Sequence, residues 1–131
     1  MHTRIIACLF LVMIIATSCS KKNPDANQTT AGKGGYESMT VYPCYNNVFL
    51  ISSGPVYIKY NAQSAPVDGK YDDSALTSIE AGHIAATFNG LKLGNYYIHV
   101  NGNFYGTPVS GGMPITIQFQ TKPQFFQINV H

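Results

Sequence analysis

From residue 81 to residue 130 apolar and polar positions alternate with a period of two, and short clusters of turn-forming residues break the rhythm. Ile84, Ala86 and Phe88 fall on one side of an extended segment and His83, Ala85 and Thr87 on the other, the spacing of a half-buried strand. Tyr96, Ile98 and Val100 repeat the pattern against Tyr97, His99 and Asn101. β-Branched and aromatic residues dominate there, as a pleated surface prefers. Asn89-Gly90 and Gly94-Asn95 flank Leu91 and Leu93 and predict turns.

The same reading extends along the chain. Residues 39–45 form a first strand, with Pro43 placing it at a sheet edge or bulge because proline has no N–H to donate. Asn46-Asn47 predicts a turn, and the continuously apolar 48–51 predicts a short second strand ended by Ser52, Ser53, Gly54 and Pro55. Val56, Ile58 and Tyr60 alternate with Tyr57 and Lys59, a strand with one wet face. Residues 61–75 read as a surface excursion, and 76–80 as a weak strand pairing with 84–88 across Ala81-Gly82. Residues 104–109 predict a short strand before a turn at Ser110, Gly111 and Gly112. Ile115, Ile117 and Phe119, then Phe126, Ile128 and Val130, predict two strands joined as a hairpin through Lys122-Pro123. Seven or eight short strands at such spacing imply an all-β, antiparallel-rich β-sandwich over residues 36–131.

Phe88, Gly90, Leu91, Gly94, Tyr96, Ile98 and Val100 spell F-x-G-L-x-x-G-x-Y-x-I-x-V. The pattern resembles the prealbumin-like, Ig-like sandwiches of carboxypeptidase regulatory regions and of repeat domains in bacterial surface proteins. That resemblance implies that the leucine plugs the end of the sandwich, the glycine turns the chain and the tyrosine starts a central strand. It implies architecture and little about activity, because one fold serves many functions.

Residues 1–18 read as a targeting segment: Arg4 supplies a minimal basic start, and the apolar run 5–16 is too short to span a bilayer. Ala16-Thr17-Ser18-Cys19 resembles a bacterial lipobox, with alanine where leucine is usual. The resemblance implies a thioether-linked diacylglycerol on Cys19, so the mature chain is expected to be anchored to a membrane, not to span it. Each buried methylene contributes about 0.8 kcal/mol, and two or three acyl chains hold far more firmly than one. Ser20 after the cysteine fits an outer-membrane destination in a Gram-negative envelope, on either face. Residues 19–35 are polar and glycine-containing, and are expected to form a tether of root-mean-square length on the order of 20 Å. Asn27-Gln28-Thr29 matches a glycosylation sequon only by coincidence in such a setting.

Composition then removes function classes. With Arg4 and the leader set aside, seven lysines face six acids, a balance without the basic footprint of a nucleic-acid or headgroup binder. Cys8 lies in the leader and Cys19 is the acylation candidate, so Cys44 has no intrachain disulfide partner and reads as a small buried apolar residue, with an intermolecular disulfide or a reactive thiol as the other reading. His83, His99 and His131 lack metal-ligand spacing, and Val109-Ser110-Gly111 is not the strained G-x-S-x-G turn of a serine hydrolase. Asp68, Asp72 and Asp73 do not follow the EF-hand order and read as solvated turn acids. No catalytic residue, metal site or cofactor is expected.

Two features remain. Asp73-Ser74-Ala75 resembles the D-[ST]-aliphatic acceptor of general O-glycosylation, which makes Ser74 a modification candidate. Outward-facing Tyr57, Tyr97 and Tyr105, near Asn95, Asn101 and Asn103, form a candidate polar aromatic surface for sugar or protein. The absence of tryptophan favours protein contact, or tyrosines that merely finish a sheet face and bind nothing. The expectation is therefore a non-enzymatic, membrane-anchored binding or accessory module whose partner is another envelope protein or a glycan. A carbohydrate-binding lipoprotein and an enzyme or enzyme inhibitor are the alternatives, and clustering of the tyrosines in a groove favours the first of these.

Overall fold

In the computed structural model, which describes residues 30–131, the alternation becomes nine strands: β1 (Lys33–Tyr45), β2 (Val48–Phe49), β3 (Ser52–Tyr60), β4 (Asp73–Ala75), β5 (Ser78–Glu80), β6 (His83–Leu91), β7 (Gly94–Phe104), β8 (Thr107–Ile117) and β9 (Gln124–Val130). They make two sheets. The first runs β5-β6-β1, with β9 parallel to β1 on its other side and β2 capping the far end of β1. The second runs β4-β3-β7-β8 with every pair antiparallel.

The inward set of each strand is the one the period of two picks out. Met39 and Val41, Val56 and Ile58, Ala86 and Phe88, Tyr96, Ile98 and Val100, and Ile128 and Val130 are all buried in one core between the sheets. Such a core supplies most of the driving force, at roughly 25 cal/mol for each Å2 of apolar surface removed from water. Leu91 and Tyr96, the plug and strand-start positions of the sequence motif, are both fully buried.

Tight connections follow the turn chemistry. Asn46 and Asn47 have φ of 48° and 63°, the doubly positive geometry of a two-residue hairpin, and join Tyr45 to Val48. Ala81 and Gly82, at 50° and 82°, do the same between β5 and β6. The weak strand at 76–80 is thus present, shortened to three residues.

Several local expectations are corrected. Ser52, Ser53, Gly54 and Pro55 do not end a strand but begin β3, and Gly94-Asn95 is the start of β7 and not a turn. Asn89-Gly90 is no turn: β6 runs through it to Leu91, and Gly90, at φ 69°, lies within that strand. Ser110, Gly111 and Gly112 are also inside a strand, β8, because a β-carbon on Gly112 would come within 2.5 Å of the Ile98 carbonyl oxygen and one on Gly111 within 2.6 Å of that of Asn129. These glycines permit close approach instead of reversing the chain. Lys122-Pro123 does not close a hairpin: β8 belongs to one sheet and β9 to the other, where β9 pairs with β1 from Met39↔Gln124 to Tyr45↔Val130. Phe119, expected inside a strand, is outside it and exposed.

Pro43 occupies a central strand, not an edge. β6 pairs with β1 as far as Val41 and β2 takes over at Cys44, so Pro43 falls in the gap between them. Its carbonyl accepts from Leu50 N–H on that side, and in a strand the N of the same residue points the same way. The missing donor therefore faces the gap and β9 loses nothing. The packed region also begins before residue 36. Ala31 is buried, its N–H donates to the Asn61 side chain at 2.9 Å, and β1 starts at Lys33. The residues expected to be tether thus contribute their last few positions to the sandwich.

Candidate functional site

The outer face of the second sheet gathers aromatic side chains from three segments. Tyr57 on β3 stands directly opposite His99 on β7, which stands opposite Gly112 on β8, and Lys59 stands opposite Tyr97. Residues that are paired across strands share a face with β-carbons about 4.5–5.5 Å apart. The connection between β3 and β4 then brings Tyr71 back over them. Tyr71 stacks on His99 with centroids 5.6 Å apart and planes at 18°, and lies 5.5 Å from Tyr57, which is 6.5 Å from His99. The side-chain-free Gly112 leaves room for the Tyr97 ring, whose hydroxyl would be 2.6 Å from a β-carbon there. Burial, with a smaller contribution from the neighbouring Tyr97 phenol, holds the Tyr71 phenol above its ordinary pKa. The four rings are each partly covered and partly open to solvent.

Beside them lies a cleft of about 280 Å3 lined by Tyr57, Gly69, Tyr71, Asp72, Asp73 and Ser74. Its floor is fixed by an unusual return of the chain: Asp72 N–H donates to the Ile58 carbonyl, and Asp72 carboxylate oxygens accept from Lys59 Nζ at 2.9 Å and Tyr60 N–H at 2.7 Å. Burial by itself pushes this carboxyl up, but the Tyr60 and Lys59 hydrogen bonds and the lysine charge outweigh it, so the group sits below the usual carboxylate range. Asp73 pairs with Lys33 at 2.8 Å. Asp68 accepts from Lys70 N–H in a local turn. Each of the three loop acids thus has a named structural partner, and among the described residues no three His, Cys, Asp or Glu side chains are placed to share a metal ion.

Of the three tyrosines expected to share a surface, Tyr57 and Tyr97 do and Tyr105 does not. Tyr105 sits in the β7–β8 turn at φ 49°, 78% exposed, with its ring edge-on to Phe104 at 4.8 Å. Ser74 is exposed on β4, directly paired with Tyr57, and so stands at the mouth of the cleft. His83 and His131 are elsewhere: His83 lies 4.1 Å from Phe49, and His131 exchanges backbone hydrogen bonds with Ser110. Cys44 is 1% exposed on the outer side of β1, near the Ile128 carbonyl and the Asn129 side chain, and burial raises its thiol pKa. Cys19, the leader 1–18 and residues 20–29 lie outside the described residues.

A second cleft, of about 470 Å3, opens on the outer face of the first sheet between Tyr42, Phe49, His83 and Phe125. Tyr42 is 5.9 Å from Phe49 and 6.3 Å from Phe125. Sequence reasoning missed it. The signal was present in Phe125, which must point outward once Phe126, Ile128 and Val130 point inward, and in Tyr42, which alternates with Val41 and Pro43.

Compared with known proteins, the chain matches no family model, no curated protein and no solved structure.

Proposed function

We propose that this chain is a lipoprotein of a Gram-negative envelope, anchored through acylated Cys19, whose prealbumin-like or Ig-like sandwich serves as a non-enzymatic binding module. The observation that carries the binding role is the convergence of Tyr57, Tyr71, Tyr97 and His99 on one sheet face beside a cleft. Ordinary sheet faces are finished with scattered polar side chains. Here a separate loop returns to complete an aromatic patch and is locked in place by Asp72. Clustered, partly exposed tyrosines give large contact area at low cost in side-chain entropy.

The anchoring role rests on the lipobox-like Ala16-Thr17-Ser18-Cys19. Ala31, the first buried residue of the sandwich, lies 12 positions after Cys19, a contour of at most ~43 Å. The module would therefore work close to the membrane, on the outer membrane in this reading. Intact mass of the protein extracted from cells tests both modifications at once. A chain beginning at Cys19 with diacylglyceryl and acyl additions is expected, and further hexose-sized increments that disappear in Ser74→Ala would place a glycan on Ser74. An unmodified mass beginning elsewhere would remove the anchor from this account.

A further inference from the structure

The cleft between Tyr57, Tyr71 and Ser74 has a chemistry that selects among ligands. Its walls are aromatic on one side and oxygen-bearing on the other: two phenol rings face Ser74 and Asp72, while Asp73, paired with inward-facing Ile58, turns its side chain to the other face of the sheet. From it, the outward row of β7 continues the same mixture as Asn95, Tyr97, His99 and Asn101, with Asn95 taking a hydrogen bond from Thr116 at 2.7 Å and His99 joined to Asn101 at 3.0 Å.

Charge decides the next step. A ring of tyrosines with free carboxylates would suit a cation held over the ring faces. Here the Asp72 carboxylate already carries a lysine, Lys59 at 2.9 Å, and Asp73, on the other face, is paired with Lys33 at 2.8 Å. A cationic ligand would have to displace a lysine, and an anionic one would meet a lysine already neutralised by its carboxylate. An apolar peptide would leave the hydroxyl and carboxylate wall desolvated without partners, which costs about 1–3 kcal/mol per group. An uncharged ring with C–H faces and a rim of hydroxyls meets both walls. Its faces lie on the tyrosines, and its hydroxyls donate to carboxylate oxygens and exchange with Ser74. The volume, about 280 Å3, sits just below the ~300–1,000 Å3 typical of small-molecule sites. It suits one sugar ring, with the rest of a chain lying out along Tyr97 and His99.

We infer that the outer face of the second sheet binds a neutral glycan, one pyranose ring seated in the cleft against Tyr57 and Tyr71 and the adjoining rings along β7. This rests on the reading above that this face is the binding face, and adds the ligand class.

The test uses the full mature chain in detergent. Because the protein has nine tyrosines and no tryptophan, tyrosine emission reports directly on ring stacking. Maltohexaose, cellohexaose, xylohexaose and mannohexaose are titrated, with hexagalacturonate as the charged comparator. Saturable quenching by at least one neutral glycan is expected, weakened at least about tenfold in Tyr71→Ala, retained in Tyr71→Phe and unchanged in Tyr105→Ala. Should Tyr71→Ala fail to fold, Ser74→Trp fills the cleft mouth from an exposed position and is expected to weaken binding as strongly. No response to any neutral glycan, a response that Tyr71→Ala and Ser74→Trp both leave intact, or tighter binding of hexagalacturonate overturns the inference. If no neutral glycan binds while a photoreactive group at Tyr97 still captures a defined envelope protein in intact cells, the glycan is wrong and the binding face stands. If neither occurs, both fall.

Discussion

The backbone N–H of Gly32 donates to the Tyr96 hydroxyl at 2.8 Å, across 64 positions of sequence, and that hydroxyl in turn donates to the Lys92 carbonyl at 2.7 Å. One phenol thus fastens the segment entering the sandwich to the start of a core strand and to the turn before it. Asn61 completes the clasp, its side-chain oxygen accepting from Ala31 N–H and its amide donating to the Ala31 carbonyl at 3.3 Å. Were the chain anchored at Cys19 as proposed, this clasp would take the load between lipid and module.

Tyr96→Phe keeps the ring in the core and removes only the hydroxyl, leaving the buried Gly32 N–H without this acceptor. A loss of about 1–3 kcal/mol in unfolding free energy by chemical denaturation is expected, together with earlier proteolysis around residues 30–35. Unchanged stability and unchanged cleavage would show that the clasp does not hold the segment.

Gly112→Ala places a methyl group 2.5 Å from the Ile98 carbonyl oxygen and 2.6 Å from the Tyr97 hydroxyl. Backbone cannot yield there without parting β7 from β8, so destabilisation of about 1–3 kcal/mol is expected. A thermal melt should show it, and a melting temperature equal to wild type would contradict the close approach.

Asp72 gives a pH dependence whose sign follows from its lowered folded-state pKa. The unfolded chain takes up the proton more readily than the folded one. The stabilisation is therefore complete above the ordinary carboxylate value of about 4 and is lost as pH falls through the folded value. Asp72→Asn should lower stability at neutral pH and flatten this part of the acid limb. An acid limb identical to wild type would mean that the Lys59 and Tyr60 contacts contribute nothing.

Cys44 should react slowly. Its thiol is buried and its pKa raised, so little thiolate is exposed at neutral pH. Labelling by a water-soluble disulfide reagent should be at least about 100-fold slower in the native protein than in denaturant; comparable rates would contradict the packing of β1 between β9 and β2.

Strands with one wet face were legible because burial imposes a period of two: Val56 and Ile58, Tyr96, Ile98 and Val100, and Ile128 and Val130 all point inward as the pattern requires. Hairpins at Asn46-Asn47 and Ala81-Gly82 were legible because asparagine and glycine enter positive φ readily, and Ala81 is carried there beside Gly82. Pairing between distant strands was not, since nothing local to residues 124–130 says that they lie parallel to residues 39–45. Nor does a glycine pair reveal whether it turns the chain or lets another strand approach, as Gly111 and Gly112 do. At the site, alternation turned Tyr57 and Tyr97 outward correctly. Tyr71 lies in an aperiodic loop, and long-range contacts, the Asp72 hydrogen bonds and its own stacking on His99, bring it onto the sheet.

The face claim is tested most directly by placing a photoreactive phenylalanine analogue at position 57, 97 or 105 in turn and irradiating intact cells. Adducts with one and the same envelope component from positions 57 and 97, and none from 105, are predicted. Adducts from 105 alone, or from no position, would contradict the assignment of the Tyr57 face as the part of this module that meets its partner.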